Sequence, residues 1–399
     1  MNPTRVLYEP IEDLERMEYY QPGGYHPLGH GTYSTIWLAR DERSRIYVAV
    51  KVCTADSKPP EIDVILELSK PPLLSDIGRT LIPSILNKFN IQDPNGEHIC
   101  LVTKPARMSL SDAKNGSWIN ICQLEVARVL AAQLAIAIHY IHSRDFVHGD
   151  LRRGNILLQL RRDFDQLSTK RLYEQYGGPL LEPVNRLDGQ TLPPGVPQYG
   201  VLLIWLGEAS ENITLPEARI IVSDFGEASS PAREMKSESH TPLSIRPPEA
   251  RFEPTKPLTF SSDIWTLACT IWDIIAQKPL FEGFLTKEDD RLASRLMHLA
   301  SRQDHFTEHG EPINPSRSPR RTLEDRFESN VQRPRIKEGM SPFDSSERGT
   351  LSSMLRSMLP FRPEDRPSAR QVLESEWMVK WALPEYEKIR STHKKSLRA

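Results

Sequence analysis

The sequence predicts an α+β fold, with a small β-rich front and a larger, mainly helical back. Three observations point there. Residues 35–52 read as strand, turn and strand, in the strings TIWLAR, DERSR and IYVAVKV. Between residues 124 and 142, Val126, Val129, Leu130, Leu134, Ala137, Ile138 and Ile141 form one stripe at helical spacing, the mark of a core helix. The polar strings that could carry chemistry gather where the two regions meet.

The elements follow in order along 399 residues, enough for two ordinary domains or one large two-lobed enzyme with a deep cleft. Residues 1–24 are polar, rich in Tyr and Glu, and end in Pro22-Gly23-Gly24, so they read as an N-terminal extension. Residues 25–105 hold the sheet. They contain the two strands above, a strand in HICLVTK, and a short helix over residues 61–68. That helix follows Pro59-Pro60 and places Val64, Ile65 and Leu68 at i+3, i+4 and i+7 from Glu61. Residues 106–399 form the helical region: the core helix, the strand RIIVSD, a Pro-rich loop, an apolar helix over residues 264–275, and further helices. An insertion at about 160–217 contains GGPLLEP, LPPGVP and the apolar VLLIWLG, and the apolar run favours packing over a loose loop, with the helical lobe as one place for it. A second polar stretch, 303–345, contains PSRSPRR. There is no internal repeat.

Composition excludes several function classes. A formal net charge of −2 argues against a nucleic-acid coat or a polybasic membrane anchor. Cys53, Cys100, Cys122 and Cys269 form no CxxC pair and have no His cluster beside them, so neither a disulfide framework nor a zinc site is expected, and a reducing compartment is. The acidic start lacks an apolar h-region, and no stretch approaches ~18 consecutive apolar residues. The expectation is a soluble intracellular monomer, cytoplasmic, nuclear or both, with no direct nucleic-acid or membrane partner.

The chemistry-bearing strings come next. Gly29-His30-Gly31-Thr32-Tyr33-Ser34 lies between an apolar residue and a strand; small residues let a backbone approach phosphates, although an ordinary turn also uses two glycines. Lys51 ends the apolar run Val48-Ala49-Val50 and could reach back beneath that loop to phosphate oxygens. Glu61 is its expected ion-pair partner, with Glu67 the alternative. His148-Gly149-Asp150-Leu151-Arg152-Arg153-Gly154-Asn155 follows the core helix. There Asp150 can orient and deprotonate a hydroxyl, Asn155 can hold a metal through its carbonyl oxygen, and Arg152 offers a cation to a transferring phosphoryl group. Asp224-Phe225-Gly226 closes the strand RIIVSD, and Asp224 would chelate Mg²⁺. Three markers without chemistry follow in register: Glu249 after Pro247-Pro248, Asp263 in Asp263-Ile264-Trp265, and Arg366 in FRPEDRPSA. A buried Glu249–Arg366 pair would staple a loop to the helices, and Asp263 would cap the backbone of the His148–Asn155 loop.

Over residues 28–377 this ordered set resembles the protein-kinase superfamily, and within it the SR-protein kinases of fungal type. LGHGTYSTIWLARD, SHTPLSIRPPEARFEP, SDIWTLACTIW and FRPEDRPSARQVLESEWM carry the likeness. The resemblance implies a bilobal protein-kinase fold and a serine/threonine kinase using ATP and Mg²⁺. It implies nucleotide contacts at Leu28, Gly29, Gly31, Ser34, Ile36, Ala49, Lys51 and Glu61, a gatekeeper at Thr103, and a hinge from Lys104 to Ala106. Catalytic roles fall on Asp150, Lys51 and Arg152, metal binding on Asn155 and Asp224, and structural roles on Glu249, Asp263 and Arg366. Arg/Ser-rich proteins of the splicing type are the implied substrates. Glu282, Glu288, Asp289 and Asp290 are the candidate acidic groove, although a charge run also suits a solvated face. Ser316 and Ser318 are candidate self-modification sites. The insertion matches a spacer used for localisation or partner binding.

Four departures stand against the likeness. Gly149 replaces the arginine that reads an activation-loop phosphate, a feature SR-protein kinases share. Arg152 replaces a lysine. QPGGYHP is Gly/Pro-rich and short for a first strand, and Lys51 and Glu61 stand only ten residues apart. The last two make a catalytically impaired pseudokinase or scaffold the alternative. A small-molecule phosphotransferase also favours His-Gly-Asp, but Glu249, Asp263 and Arg366 argue against it.

Overall fold

The computed structural model describes residues 20–281, apart from 32, 56, 58–59, 71–76, 94–95, 187 and 194–195, and residues 322–396. The chain divides into two compact units. The first takes residues up to Leu66, Pro83–Met108 and Gln159–Gly207; the second takes Glu67–Ile82, Ser109–Leu158 and the chain from Glu208.

The first unit is a five-stranded antiparallel sheet in the order β1-β2-β3-β5-β4. Its strands are β1 (Tyr20–His30), β2 (Ser34–Asp41), β3 (Ile46–Cys53), β4 (Asn87–Asp93) and β5 (Gly96–Thr103). The sequence expectation of a short first strand is corrected here: β1 is 11 residues long. It begins within the stretch read as an extension, with Tyr20, Gln21 and Pro22 opposite Asp41, Arg40 and Ala39. Proline cannot donate to a ladder, so it is tolerated on an edge strand and at bulges. β1 is such an edge, and its register slips between Pro22 and Pro27 and again between Pro27 and Gly29. The helix α1 (Glu61–Ser69) follows β3.

Side chains alternate across a strand, and both faces of this sheet are covered. On one face Ala39, Val48, Val50, Cys100 and Val102 form a core. On the other, Leu38 and Tyr47 meet Phe164, Leu172 and Leu206, which come from the insertion. Residues 159–207 therefore cluster with the sheet, and this replaces the alternative of a loop on the helical lobe. The anchoring is specific. Tyr47 N donates to Asp165 Oδ1 at 2.7 Å and Tyr47 Oη to Leu167 O at 3.1 Å. The Tyr47 and Phe164 rings meet edge to face with centroids 5.0 Å apart. Helices α2 (Leu110–Asn115) and α3 (Leu124–Ser143) precede the insertion in sequence. Strand β6 (Ala106–Ser109) and β7 (Ile156–Gln159) flank those helices. The insertion itself carries α4 (Thr169–Tyr176), capped by Ser168, and the two-stranded pair β8 (Leu181–Pro183) and β9 (Tyr199–Val201).

The second unit is built on α3, whose apolar stripe is buried as its periodicity requires. Among the described helices it alone is long and apolar enough to cross a bilayer by composition, and most of that stretch is buried inside the protein. β7 pairs with β10 (Ile220–Val222) in antiparallel register, Ile156 opposite Val222. After α5 (Glu249–Phe252), α6 (Phe260–Ile275) is buried from Ser262 to Ile275, as expected of a helix apolar on every side. Further helices are α7 (Leu323–Phe327), α8 (Arg333–Lys337), α9 (Ser345–Met358), α10 (Ala369–Leu373) and α11 (Leu383–Ser396). The four cysteines are free and buried.

Candidate active site

In the first unit, Gly29 and Gly31 lie at the turn from β1 into β2, and Gly31 N donates to Ser34 O at 2.9 Å. A Cβ added to either glycine would meet nothing within 4 Å, so packing does not demand glycine there and the space beside the backbone is open. Thr32 lies outside the described residues. The β2–β3 register sets Ile36 opposite Lys51 and Leu38 opposite Ala49, and β5 sets Thr103 opposite Ala49. By alternation, Ile36, Leu38, Tyr47, Ala49 and Lys51 share one face, the face on which the insertion packs. Leu28 packs against that same cluster. Lys104, after β5, is exposed and Ala106 is partly buried. Lys51 Nζ donates to Glu61 Oε1, and Glu61 is only 6% exposed. Glu67 instead holds Lys70 at 2.6 Å.

In the second unit, the loop from His148 to Asn155 leaves α3 and enters β7. Asp263, 1% exposed at the start of α6, accepts from His148 N at 2.7 Å, Gly149 N at 3.0 Å and His142 Nε2 at 3.0 Å. Burial alone would raise this carboxyl, but the His142 hydrogen bond and the neighbouring histidines hold it below its ordinary value. The loop is therefore fixed by an ionised side chain from another helix. His148 Nε2 sits 3.1 Å from Ser223 O, and Asp150 N donates to its Nδ1 at 3.3 Å.

Asp150 is the centre of the loop. Its Oδ2 accepts from Arg152 Nε at 2.9 Å and from Asn155 Nδ2 at 2.9 Å. Its Oδ1 is buried and has no hydrogen-bond partner. Asn155 Nδ2 also donates to Asp150 O at 2.8 Å, which leaves the Asn155 carbonyl oxygen as its group for a metal. Ser223 N donates to Asn155 O at 2.8 Å, tying this loop to the residue before Asp224. Asp224 is exposed and takes φ +64°, a left-handed conformation that Asp tolerates better than most residues. The structural trio is assembled as follows. Arg366 grips Glu249 with two parallel bonds, Nη1 to Oε1 at 2.8 Å and Nη2 to Oε2 at 2.7 Å, and its side chain is 0% exposed.

Two features escaped the sequence reading. Gly149 takes φ +80°, and a Cβ there would stand 2.6 Å from the backbone oxygen of Glu227. Glu227 in turn holds Lys236 of the same segment at 2.7 Å. The sequence marks Gly149 as the place of a missing arginine but not its close approach to Glu227, and no periodicity links Glu227 to a lysine in an irregular loop. Glu282, Glu288, Asp289, Asp290, Ser316 and Ser318 lie outside the described residues.

Comparison with known proteins follows this geometry. A family profile described as "Protein kinase domain" matches residues 24–168 and 210–378, leaving out most of the insertion. The serine/threonine-protein kinase SRPK of Physarum polycephalum is 26% identical over 92% of this chain and 91% of its own length. A serine/threonine protein kinase of Aspergillus fumigatus is 23% identical over 94% of this chain and 88% of its own. Serine/threonine-protein kinase spk-1 of Caenorhabditis elegans is 27% identical over 41% of this chain, and that match spans only 18% of spk-1. A crystal structure of a kinase domain superposes with a TM-score of 0.59 and 18% identity, covering 91% of this chain and 96% of the other, and so supports the shared fold.

Proposed function

This chain belongs to the protein kinase domain family, and from that premise we propose that it transfers the γ-phosphate of Mg·ATP to serine and threonine hydroxyls of proteins, with Arg/Ser-rich segments preferred. The observation that carries the reading is the Asp150 carboxylate: one oxygen is held by two donors, the other is buried and unpaired. Leaving a buried acceptor unpaired costs about 1–3 kcal/mol, a cost that a substrate hydroxyl removes by donating to Oδ1. The same contact orients the hydroxyl and gives its proton a base.

The other residues fit the nucleotide and its metal. Open space beside Gly29 and Gly31 admits phosphate oxygens to the backbone, and Lys51, steadied by Glu61, supplies a cation for them. The Asn155 carbonyl and the exposed Asp224 carboxylate are hard oxygen ligands of the type Mg²⁺ takes. Bound Mg²⁺ neutralises charge on the phosphates as it develops. The pseudokinase alternative rested on a short first strand and on the close spacing of Lys51 and Glu61. β1 runs 11 residues and Lys51 bonds Glu61 directly, so neither observation favours it.

The Arg/Ser preference extends the resemblance to SR-protein kinases and draws support from a relative named SRPK. Guanidinium groups form bidentate pairs with carboxylates that lysine matches poorly, so the test is chemical. With Mg·ATP and the full chain, an Arg-Ser repeat peptide should exceed a Lys-Ser peptide of equal charge by about tenfold in kcat/KM, about 1.4 kcal/mol. Equal rates, or faster transfer to an acidic or proline-directed peptide, would remove the Arg/Ser part. Nucleotide binding with no transfer to any peptide would establish the pseudokinase. Mass spectrometry of ATP-treated protein at Ser316 and Ser318 reports self-modification in the same sample.

A further inference from the structure

We infer that Gly154 is a positioning residue: the space left by its missing Cβ seats the guanidinium of Arg152, and through that seat Gly154 holds the Asp150 carboxylate in one orientation. The consequence for turnover rests on the phosphotransfer reading above, whereas the premise is geometric. A Cβ built on Gly154 would lie 2.7 Å from Arg152 Nη1 and 3.6 Å from Arg152 Cζ. The first distance is inside van der Waals contact. Backbone conformation is not the reason for glycine, because Gly154 is not among the residues with positive φ. An alanine is thus compatible with the chain path. The atoms in its way belong to the end of one flexible side chain, itself 39% exposed, which can swing outward. Alanine at 154 would leave the fold intact and evict the guanidinium.

What leaves with it is half of the grip on Asp150. Arg152 Nε and Asn155 Nδ2 share Asp150 Oδ2, each at 2.9 Å. Two donors on one oxygen decide which oxygen stays open, and that is the buried Oδ1. The guanidinium is planar, so Nη1 cannot vacate the space over residue 154 without turning Nε off the carboxylate. A lysine carries one ammonium on a flexible stem and can meet Asp150 with no second nitrogen over residue 154. Glycine at 154 is therefore demanded by arginine at 152 and by nothing else nearby. Arg153 does not substitute for it, since its Nε is engaged 3.4 Å from Asp273 Oδ2.

A double-mutant cycle on the full chain tests this, with Gly154→Ala made alone and in an Arg152→Lys background. The first readout does not depend on activity: the ¹⁵N-detected Nε–H signal of Arg152, assigned by its loss in Arg152→Lys. We expect solvent protection of that signal in the wild type and its loss in Gly154→Ala. For peptide phosphorylation, Gly154→Ala alone should lower kcat about tenfold with KM for ATP changed less than ~2-fold, while in the Arg152→Lys background it should change kcat less than ~2-fold. Equal losses in both backgrounds, or an Nε–H that stays protected in Gly154→Ala, would overturn the inference. If the wild type transfers no phosphate at all, the functional reading falls, and the Nε–H comparison still decides whether Gly154 seats Arg152.

Discussion

Gly149 occupies a place where any side chain would strike the backbone oxygen of Glu227. Phosphorylation orders activation segments through new arginine pairs, and this chain cannot place an arginine at 149 without moving that backbone. The segment is instead held by an ion pair already present, Glu227 to Lys236 at 2.7 Å. Phosphatase treatment should therefore leave the initial rate of peptide phosphorylation unchanged; a drop of about tenfold, ~1.4 kcal/mol in barrier, would show that a phosphate is being read. Asp150 and Asp224 differ in kind at this scale. Asp150 is buried with one oxygen reserved, and Asp224 is exposed on a left-handed residue. Asp150→Asn should keep Mg²⁺-dependent nucleotide binding and lose ~10²-fold or more in kcat, while Asp224→Ala should lose the binding itself. Thermal shift with and without Mg·ATP, beside a transfer assay, separates the two. Near-native turnover in Asp150→Asn would reassign the loop.

At the scale of elements, the strands and helices that the sequence revealed are those whose partners lie nearby in period. β2 and β3 show as apolar runs around a turn, and α3 as a stripe, because burial of one face repeats every two residues or every 3.6. β1 hid because an edge strand with bulges accepts the Gly and Pro residues that argue against a strand. Lys114, at the end of α2, hid for another reason: a lysine near a helix C-terminus reads as a solvated tip. In the structure it is 2% exposed, and Nζ donates to Asp273 O and to Ala276 O, at 2.6 Å for the latter, closing the last turn of α6. Burial pushes its ammonium from the ordinary 10.5 down to about 8, with Cys122 and Asp273 opposing. Between those values the unfolded chain holds a proton that the folded chain does not, so folding stability gains from rising pH in that window. The destabilising burial of charge is fully present below about pH 8. Relative to Lys114→Met, the wild type should gain stability from about pH 8 to 10.5, by no more than ~1.4 kcal/mol per unit, in chemical denaturation at each pH. A stability difference flat across the window would mean that Lys114 titrates as an exposed amine does.

For the whole molecule, the feature beyond reach of the sequence was where the insertion goes. The apolar run VLLIWLG announced packing, but nothing in its period names Tyr47 as a partner. Leu172, 0% exposed, packs against Leu38 and Tyr47, while Leu203 in the same insertion is 48% exposed. Leu172→Ala should cost about 2–5 kcal/mol in denaturant unfolding, and Leu203→Ala within about 0.5 kcal/mol. Equal, small effects would mean that the sheet does not depend on the insertion.

That arrangement also sets an order in time. Tyr47 is made 118 residues before Asp165, whose carboxylate caps its backbone amide. At ~5–20 residues per second, the interval on a ribosome is about 6–24 s, during which the β2–β3 pair that carries Leu38 and Tyr47 has no cover from the insertion. The loop that holds Asp150 is synthesised inside that interval. The sheet is thus translated before its cover, and the face that carries Leu38 and Tyr47 cannot close until the residues after the loop that holds Asp150 have emerged.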